Sequence, residues 1–447
     1  MKIPFTFCIF IFSSLFINIH GQLKRSPAPG YDQRIEGYID SIRIFDTHEH
    51  LFDPELIEKS DVLDFTLLLQ SNSYYDLLSA GMPASSFDKL YSSSLTPSAK
   101  WKIIEPYWRN SFNTTSNRIL LLAINDLYGI SSLNSSTVET LSQKMKNSYS
   151  SDRFDHILKD LCKIDYVVQS GDSIRTKSNY IRYATMFNSW LNVRSKYGID
   201  SLAVKQIEPI YTLDDFIKSM QHAFETALKK GMVAVKINFA YKRTLYIENI
   251  TTDVAKKVFR TLINGDEDLK ISLKDAKPLQ DYMVHQLLAM AQKNKIPVAF
   301  HTGIQAGNGN IIDNSNPTLL NNIFQKYPEN NFVLFHGSYP FGGELSTLAK
   351  TYRNVYIDMN WTYSISPGYT ARYLAEWLEA VPVSKIMAFG GDQMCIENTY
   401  GNLVIAKKII ANVLIEKVRD GYLSESEAKN VARMILYDNG MKFYNIH

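Results

Sequence analysis

Asp46-Thr47-His48-Glu49-His50 sets two imidazoles one residue apart at the end of the apolar stretch 42–45. Side chains alternate between faces of an extended chain, so Asp46, His48 and His50 are expected on one side and Phe45, Thr47 and Glu49 on the other. Two neutral imidazoles side by side each offer a lone pair, which is what a first-row divalent metal takes. An isolated His-x-His is ordinarily just a polar pair at a strand end. Here other segments repeat the arrangement. His301 closes the apolar run 296–300, His336 closes 331–335, and Asp392 ends 385–391, which finishes in Gly390-Gly391. Lys236 lies within a fourth such run, 232–239. Three imidazoles and a carboxylate suit Zn²⁺ or a similar ion with room for a water, whose pKa a bound ion lowers to roughly 7. Asp392 is placed to take that water's proton and pass it on.

Groups on separate segments meet only if the fold brings the strand ends together. Short apolar runs occur at 42–48, 164–168, 181–187, 232–239, 296–301, 331–336, 354–359 and 385–392, most of them separated by helical periodicity at 153–162, 213–230, 277–294, 317–327, 343–352 and 369–380. Near-continuous hydrophobic strands alternating with helices predict a parallel sheet covered on its outer face, and eight such units predict a (β/α)₈ TIM-like barrel in the α/β class. In that fold the chemistry sits at the C-terminal strand ends, where these residues fall. Residues 54–150 carry helical material rich in Tyr, Trp, Leu and Ser and read as an insertion after the first strand that caps the mouth. Its aromatics, Tyr74, Tyr75, Trp101, Tyr107 and Trp108, either line a mouth or pack the insertion, and packing is the commoner use.

Composition bounds the alternatives. The 447 residues are 45% hydrophobic and 21% charged with a formal net charge of +3, enough apolar material for one large barrel and no basic cluster to suggest nucleic acid. Lys2 and the apolar run 3–19 predict a signal peptide over 1–22, cleaved near Gly21 or Gln22, then a polar lead-in over 23–41 and the barrel over 42–447. That predicts a secreted or periplasmic protein with no stable membrane insertion once the signal is removed. The mature chain keeps Cys162 and Cys395, too few for a disulfide framework, and Cys395 reads as a buried thiol. Of the sequons at Asn113, Asn134, Asn249 and Asn360, the last lies beside the expected site, where a glycan fits badly. Gly303 to Asn310 lacks the Lys-Ser/Thr ending of a phosphate loop and reads as a loop beside the metal.

Taken together, Asp46-Thr47-His48-Glu49-His50, Lys236, His301-Thr302-Gly303, His336-Gly337-Ser338-Tyr339-Pro340 and Gly390-Gly391-Asp392 resemble the amidohydrolase superfamily. The resemblance runs from about residue 40 to the C-terminus, and is greatest to the amidohydrolase-related branch that includes nodulin-like domains fused to glutamine-synthetase-like proteins. It implies a metal-dependent hydrolase in which His48, His50 and His301 are metal ligands, Asp392 is both ligand and general base, and His336 polarises substrate or orients water. One ion is implied, or two if Lys236 is carboxylated and bridges them. If Lys236 stays a free ammonium it binds substrate. Lys242 and Arg243 add positive charge that suits a substrate carboxylate, or are solvated loop charges.

The sequence thus predicts cleavage of an amide, or a related C–N or ester bond, in a small carboxylated molecule. Decarboxylation or sugar-acid isomerisation on the same barrel is the alternative enzyme reading, since reaction type lives in the site and not in the fold. A non-catalytic binding barrel with structural histidines is the third. The expected partner is a small-molecule substrate, and a homo-oligomer is compatible with the sequence.

Overall fold

The apolar runs form eight parallel strands in the computed structural model: β1 (Ile44–Glu49), β2 (Ile164–Ser170), β3 (Ile181–Met186), β4 (Met232–Ile237), β5 (Val298–Phe300), β6 (Phe332–Leu334), β7 (Val355–Asp358) and β8 (Ile386–Met387). The structure describes residues 28–446 apart from 61, 71, 172–178, 207, 208 and 268, so the expected signal peptide lies outside the described residues. The strands pair in chain order from β1 to β8. Backbone bonds then tie the first strand to the chain that follows the last. Thr47 N donates to the Phe389 carbonyl (3.1 Å), Asp392 N to that of His48 (2.8 Å) and His50 N to that of Gln393 (3.0 Å). The sheet is thereby a nearly closed (β/α)₈ barrel.

Alternation along the strands sorts the core into two layers. Ile44, Ile164, Val235, Phe300 and Ile357 pack against the surrounding helices. Phe45, Ala184, Ala234, Ala299, Val333 and Met387 point inward. The inward alanines leave room for rings from the last residues described, Phe443 and Tyr444, and Phe45 stacks on Tyr444 with centroids 5.6 Å apart. Burying those rings closes the barrel floor and leaves the strand C-termini as the open end.

Three expectations need correction. The lead-in is not merely polar coil, because Tyr31–Ser41 is a helix that buries Ile35 and Ile39. The first strand starts at Ile44 and reaches Glu49. Nor does it keep strict alternation, since its pairing with β2 is irregular between Asp46 and Glu49. Phe45 points inward, yet His48 also lies against the inward-facing Phe335, with ring centroids 4.7 Å apart. Glu49 turns outward instead, where it accepts from Gln393 N (2.6 Å) and Thr399 Oγ1 (2.9 Å).

The region 54–150 is helical and has its own apolar core, which includes Phe65, Trp101, Trp108 and Leu120. Trp101 and Trp108 pack edge to face there, and Tyr74 and Tyr107 lie against the same cluster. Packing therefore accounts for these aromatics, with Tyr75 the exception described below. The insertion docks on the helix Ile396–Arg419 and the residue before it: Asn398 Nδ2 donates to Leu68 O (2.9 Å), Tyr128 OH to Glu397 (2.6 Å) and the buried free thiol of Cys395 to Leu67 O (3.3 Å). Cys162 is likewise a buried free thiol, so the two form no bridge. No described helix is long and apolar enough to cross a membrane.

Within the insertion, Lys100 Nζ lies 2.6 Å from Asp64 Oδ2, with both side chains almost wholly buried. Removing one partner of such a pair leaves an uncompensated buried charge. Asp64→Leu is expected to destabilise the protein by about 3–5 kcal/mol. Asp64→Leu with Lys100→Met should recover most of the loss, as read by denaturant unfolding and by protection of residues 63–145 from hydrogen exchange.

Candidate metal centre and substrate cavity

His48, His50 and Asp392 meet where β1 closes against the segment after β8. Asp392 Oδ1 is 3.4 Å from His48 Nε2 and 3.5 Å from His50 Nε2. Tetrahedral ligand bonds of about 2.0–2.1 Å place neighbouring donor atoms roughly 3.3 Å apart, so these spacings match the edges of a metal shell. These three residues form the one group of candidate metal ligands found among the described residues. Burial pushes the His48 imidazole well below its usual range, helped by the Lys236 ammonium. The same two causes push down His50, whose side chain keeps 41% of its surface open. Both rings therefore offer lone pairs. Burial pushes the Asp392 carboxyl upward and Lys236 opposes it. A divalent ion would supply the positive charge this carboxylate lacks, and the donor set fits one.

Glycine makes the arrangement possible. A Cβ at Gly391 would overlap the Glu49 carboxylate, and one at Gly390 would sit 2.5 Å from Asn360 Cβ and 2.6 Å from Thr47 Oγ1. Gly-Gly before Asp392 is thus a packing requirement of barrel closure. Asp392 itself adopts φ 53° and His336 φ 62°, in the left-handed region that costs a side-chain-bearing residue energy.

His301 and His336 do something other than complete the shell. His301 Nε2 lies 2.9 Å from the Ile304 carbonyl and its Nδ1 lies 2.9 Å from His336 Nε2. A carbonyl oxygen only accepts, so His301 Nε2 carries the proton and Nδ1 accepts from His336 Nε2–H. His336 Nδ1 is left with a lone pair, 3.6 Å from Asp392 Oδ2. Burial holds both rings well below the ordinary range, with His301 and Lys236 adding to the effect at His336. Both nitrogens of His301 are engaged, and it lies outside the group that His48, His50 and Asp392 form. The two histidines thus bind one another.

Lys236, from β4, reaches the same space. Its buried Nζ sits 3.6 Å from the Phe335 ring centroid and has no hydrogen-bond partner among the described residues. Burial pushes its pKa down, opposed by Asp392 and Asp358. Lys242 and Arg243 do not reach the cavity. Arg243 is buried elsewhere, 2.9 Å from Asp281 and over the Phe239 ring, and Lys242 is exposed. Of the three cations, Lys236 alone lines the cavity.

These groups open into a cavity of about 240 Å³ lined by His50, Lys236, His301 and Asp392 together with Tyr75, Ser170, Tyr241 and Trp361. Of these, Tyr75 was read from the sequence as either mouth-lining or packing, and Ser170, Tyr241 and Trp361 were not singled out. Trp361 follows β7 and Ser170 ends β2, so position at a strand end was the available signal. Tyr241 packs on His301 at 4.7 Å and its hydroxyl accepts from Ala306 N (3.0 Å). Asn360 is wholly buried and its Oδ1 accepts from His336 N (3.3 Å), so its sequon cannot carry a glycan in this fold.

Barrel, strand-end donors and cavity together describe a (β/α)₈ barrel with a candidate metal site at its open end. Residues 265–446 match the amidohydrolase family profile. Protein fluG of Emericella nidulans is 29% identical over 225 residues, 48% of this chain, and the chain spans about a quarter (26%) of that relative's length. Among solved structures, a uronate isomerase of Thermotoga maritima superposes with TM-score 0.74 at 14% identity over 94% of this chain and 98% of its own. Glucuronate isomerase of Caulobacter crescentus gives 0.74 at 16% over 94% and 96%. A metal-dependent hydrolase, so described provisionally, of Lactobacillus casei gives 0.65 at 15% over 92% and 97%. At such identities the likeness is one of fold.

Mass spectrometry of the dialysed protein checks the donor set. His48→Ala and Asp392→Ala should abolish retention of a divalent ion. His301→Ala should weaken affinity only by about 10–100-fold, as for a residue behind the ligands. Equal loss in His301→Ala would mean that it ligates directly.

Proposed function

We propose that this protein is a one-metal hydrolase that cleaves an amide, or a related C–N or ester bond, of a small carboxylated molecule. The observation that carries this reading is the position of Asp392, with Oδ1 at the metal-donor edge beside His48 and His50 and Oδ2 facing the His336 lone pair. A divalent ion, Zn²⁺ being the fit for two imidazoles and a carboxylate, supplies Lewis acidity and a water of lowered pKa. The protein's own part is to hold and move the proton. As water oxygen bonds to the carbonyl carbon, Asp392 takes its proton, with His336 Nδ1 facing Oδ2 at 3.6 Å. As the C–N bond breaks, Asp392 returns a proton to the leaving nitrogen. His301, locked by Ile304, holds His336 in the tautomer that keeps Nδ1 basic. Lys236 takes the substrate carboxylate, which supplies the counter-charge its buried ammonium lacks. We further propose that the chain is exported and that the insertion sets substrate range.

Sugar-acid isomerisation is the competing reading, supported by the Thermotoga and Caulobacter isomerases, whose folds superpose over 94% of this chain. The two differ in atoms transferred. Metal-loaded protein should be incubated in ¹⁸O-water with N-acyl amino acids, carboxylated esters and uronic acids. Hydrolysis predicts one ¹⁸O in the acid product and a decrease of about 10²–10⁴-fold in kcat for Asp392→Asn, the size of a lost general base. A product of unchanged mass from a uronic acid, with no ¹⁸O beyond exchange, would establish the isomerase instead.

A further inference from the structure

A second cavity of about 640 Å³ continues outward from the metal cavity. The two share Asn72, Tyr75, Ala306 and Trp361 in their walls. One side is the helical insertion, through Asp76 and the hydroxyls of Thr114 and Ser116. The other is the loop after β5, through Gln305. No Lys or Arg lines it among the described residues, so its chemistry differs from that of the inner cavity.

Its polar groups are poorly satisfied by the protein. Gln305 is 7% exposed, and neither Oε1 nor Nε2 has a hydrogen-bond partner among the described residues. Asn72 uses Oδ1 to accept from Trp361 Nε1 (2.6 Å), which fixes the amide so that Nδ2 is a donor without a partner. Asp76 lies beside Thr114 and Ser116, and its Oδ2 is left unpaired. A buried amide or carboxylate without a partner forfeits its hydration, so such a cluster suits groups from outside. Two donors and two acceptors in one uncharged-ligand pocket, beside the Trp361 and Tyr75 rings, call for neighbouring groups that each donate and accept. Hydroxyls on adjacent carbons do this, whereas a carboxylate offers only acceptors and would meet Asp76.

We infer that this outer cavity is a subsite for a neutral, polyhydroxylated moiety, held by Gln305, Asn72 and Asp76, at the end of the substrate remote from the reacting bond. Its role as a substrate subsite rests on the reading that the inner cavity does chemistry. Binding of a polyol to it does not, and can be measured without metal.

The test is saturation-transfer NMR and calorimetry on the full chain, with methyl β-D-glucopyranoside and myo-inositol as polyols and cyclohexanol and propionamide as comparators. The same titrations are run on metal-stripped protein. Expected are millimolar polyol binding that persists without metal, at least tenfold weakening in Gln305→Leu and in the isosteric Asp76→Asn, and no matching affinity for cyclohexanol or propionamide. Failure of both polyols to bind the wild-type chain overturns the inference, and so does polyol binding unchanged in both variants. Preference for propionamide overturns the choice of hydroxyls. If polyols bind but no bond is cleaved, the subsite stands and the hydrolase reading fails.

Discussion

Everything at the open end of this barrel depends on how β1 meets the segment after β8. The backbone bonds from Thr47, His50 and Asp392 draw the two together, and they can approach only because Gly390 and Gly391 have no side chains. The closure is also what brings His48 and His50 within 3.4–3.5 Å of one oxygen of Asp392. Mechanical closure of the sheet and assembly of the metal donors are therefore one event. A barrel that failed to close here would lose its ligands as a set.

The cost is electrostatic. Asp46, Glu49, Asp358 and Asp392 are all buried or nearly so around this seam, faced by the buried amine of Lys236. Hydrogen bonds from Asn360 N (2.8 Å) and Thr47 Oγ1 (3.0 Å) partly compensate Asp358, yet burial still pushes its pKa to about 7. Glu49 is pushed well above its usual range by burial and by its neighbour Asp46. Imidazoles kept neutral by the same burial bring no positive charge. An environment with this surplus of carboxyl groups favours a divalent cation, since buried charge is tolerated when paired.

Much of this was legible in the sequence, for a definite reason. A parallel barrel buries both faces of its strands, so all eight announce themselves as apolar runs, and the ligand-bearing ends follow from the fold rule. His48, His50, Lys236, His301, His336 and Asp392 do converge on one mouth. What could not be read was which nitrogen faces what. The engagement of His301 by Ile304 and His336 depends on loop geometry, and the burial of Arg243 against Asp281 on a partner 38 positions away. The irregularity in β1 was hidden too, because alternation assumes an even ladder. Asn72, Tyr75 and Gln305 lie in the insertion and a loop, where no periodicity marks which side chain faces inward.

The loop after β5 places two dissimilar tasks on consecutive residues. The carbonyl of Ile304 fixes the tautomer of His301 and through it the basic nitrogen of His336, while the next side chain, Gln305, lines the outer cavity. One peptide unit joins them. An occupant of the outer cavity that displaced this peptide would change the proton affinity of the histidine pair, and protonating that pair would change the affinity for the occupant by the same factor.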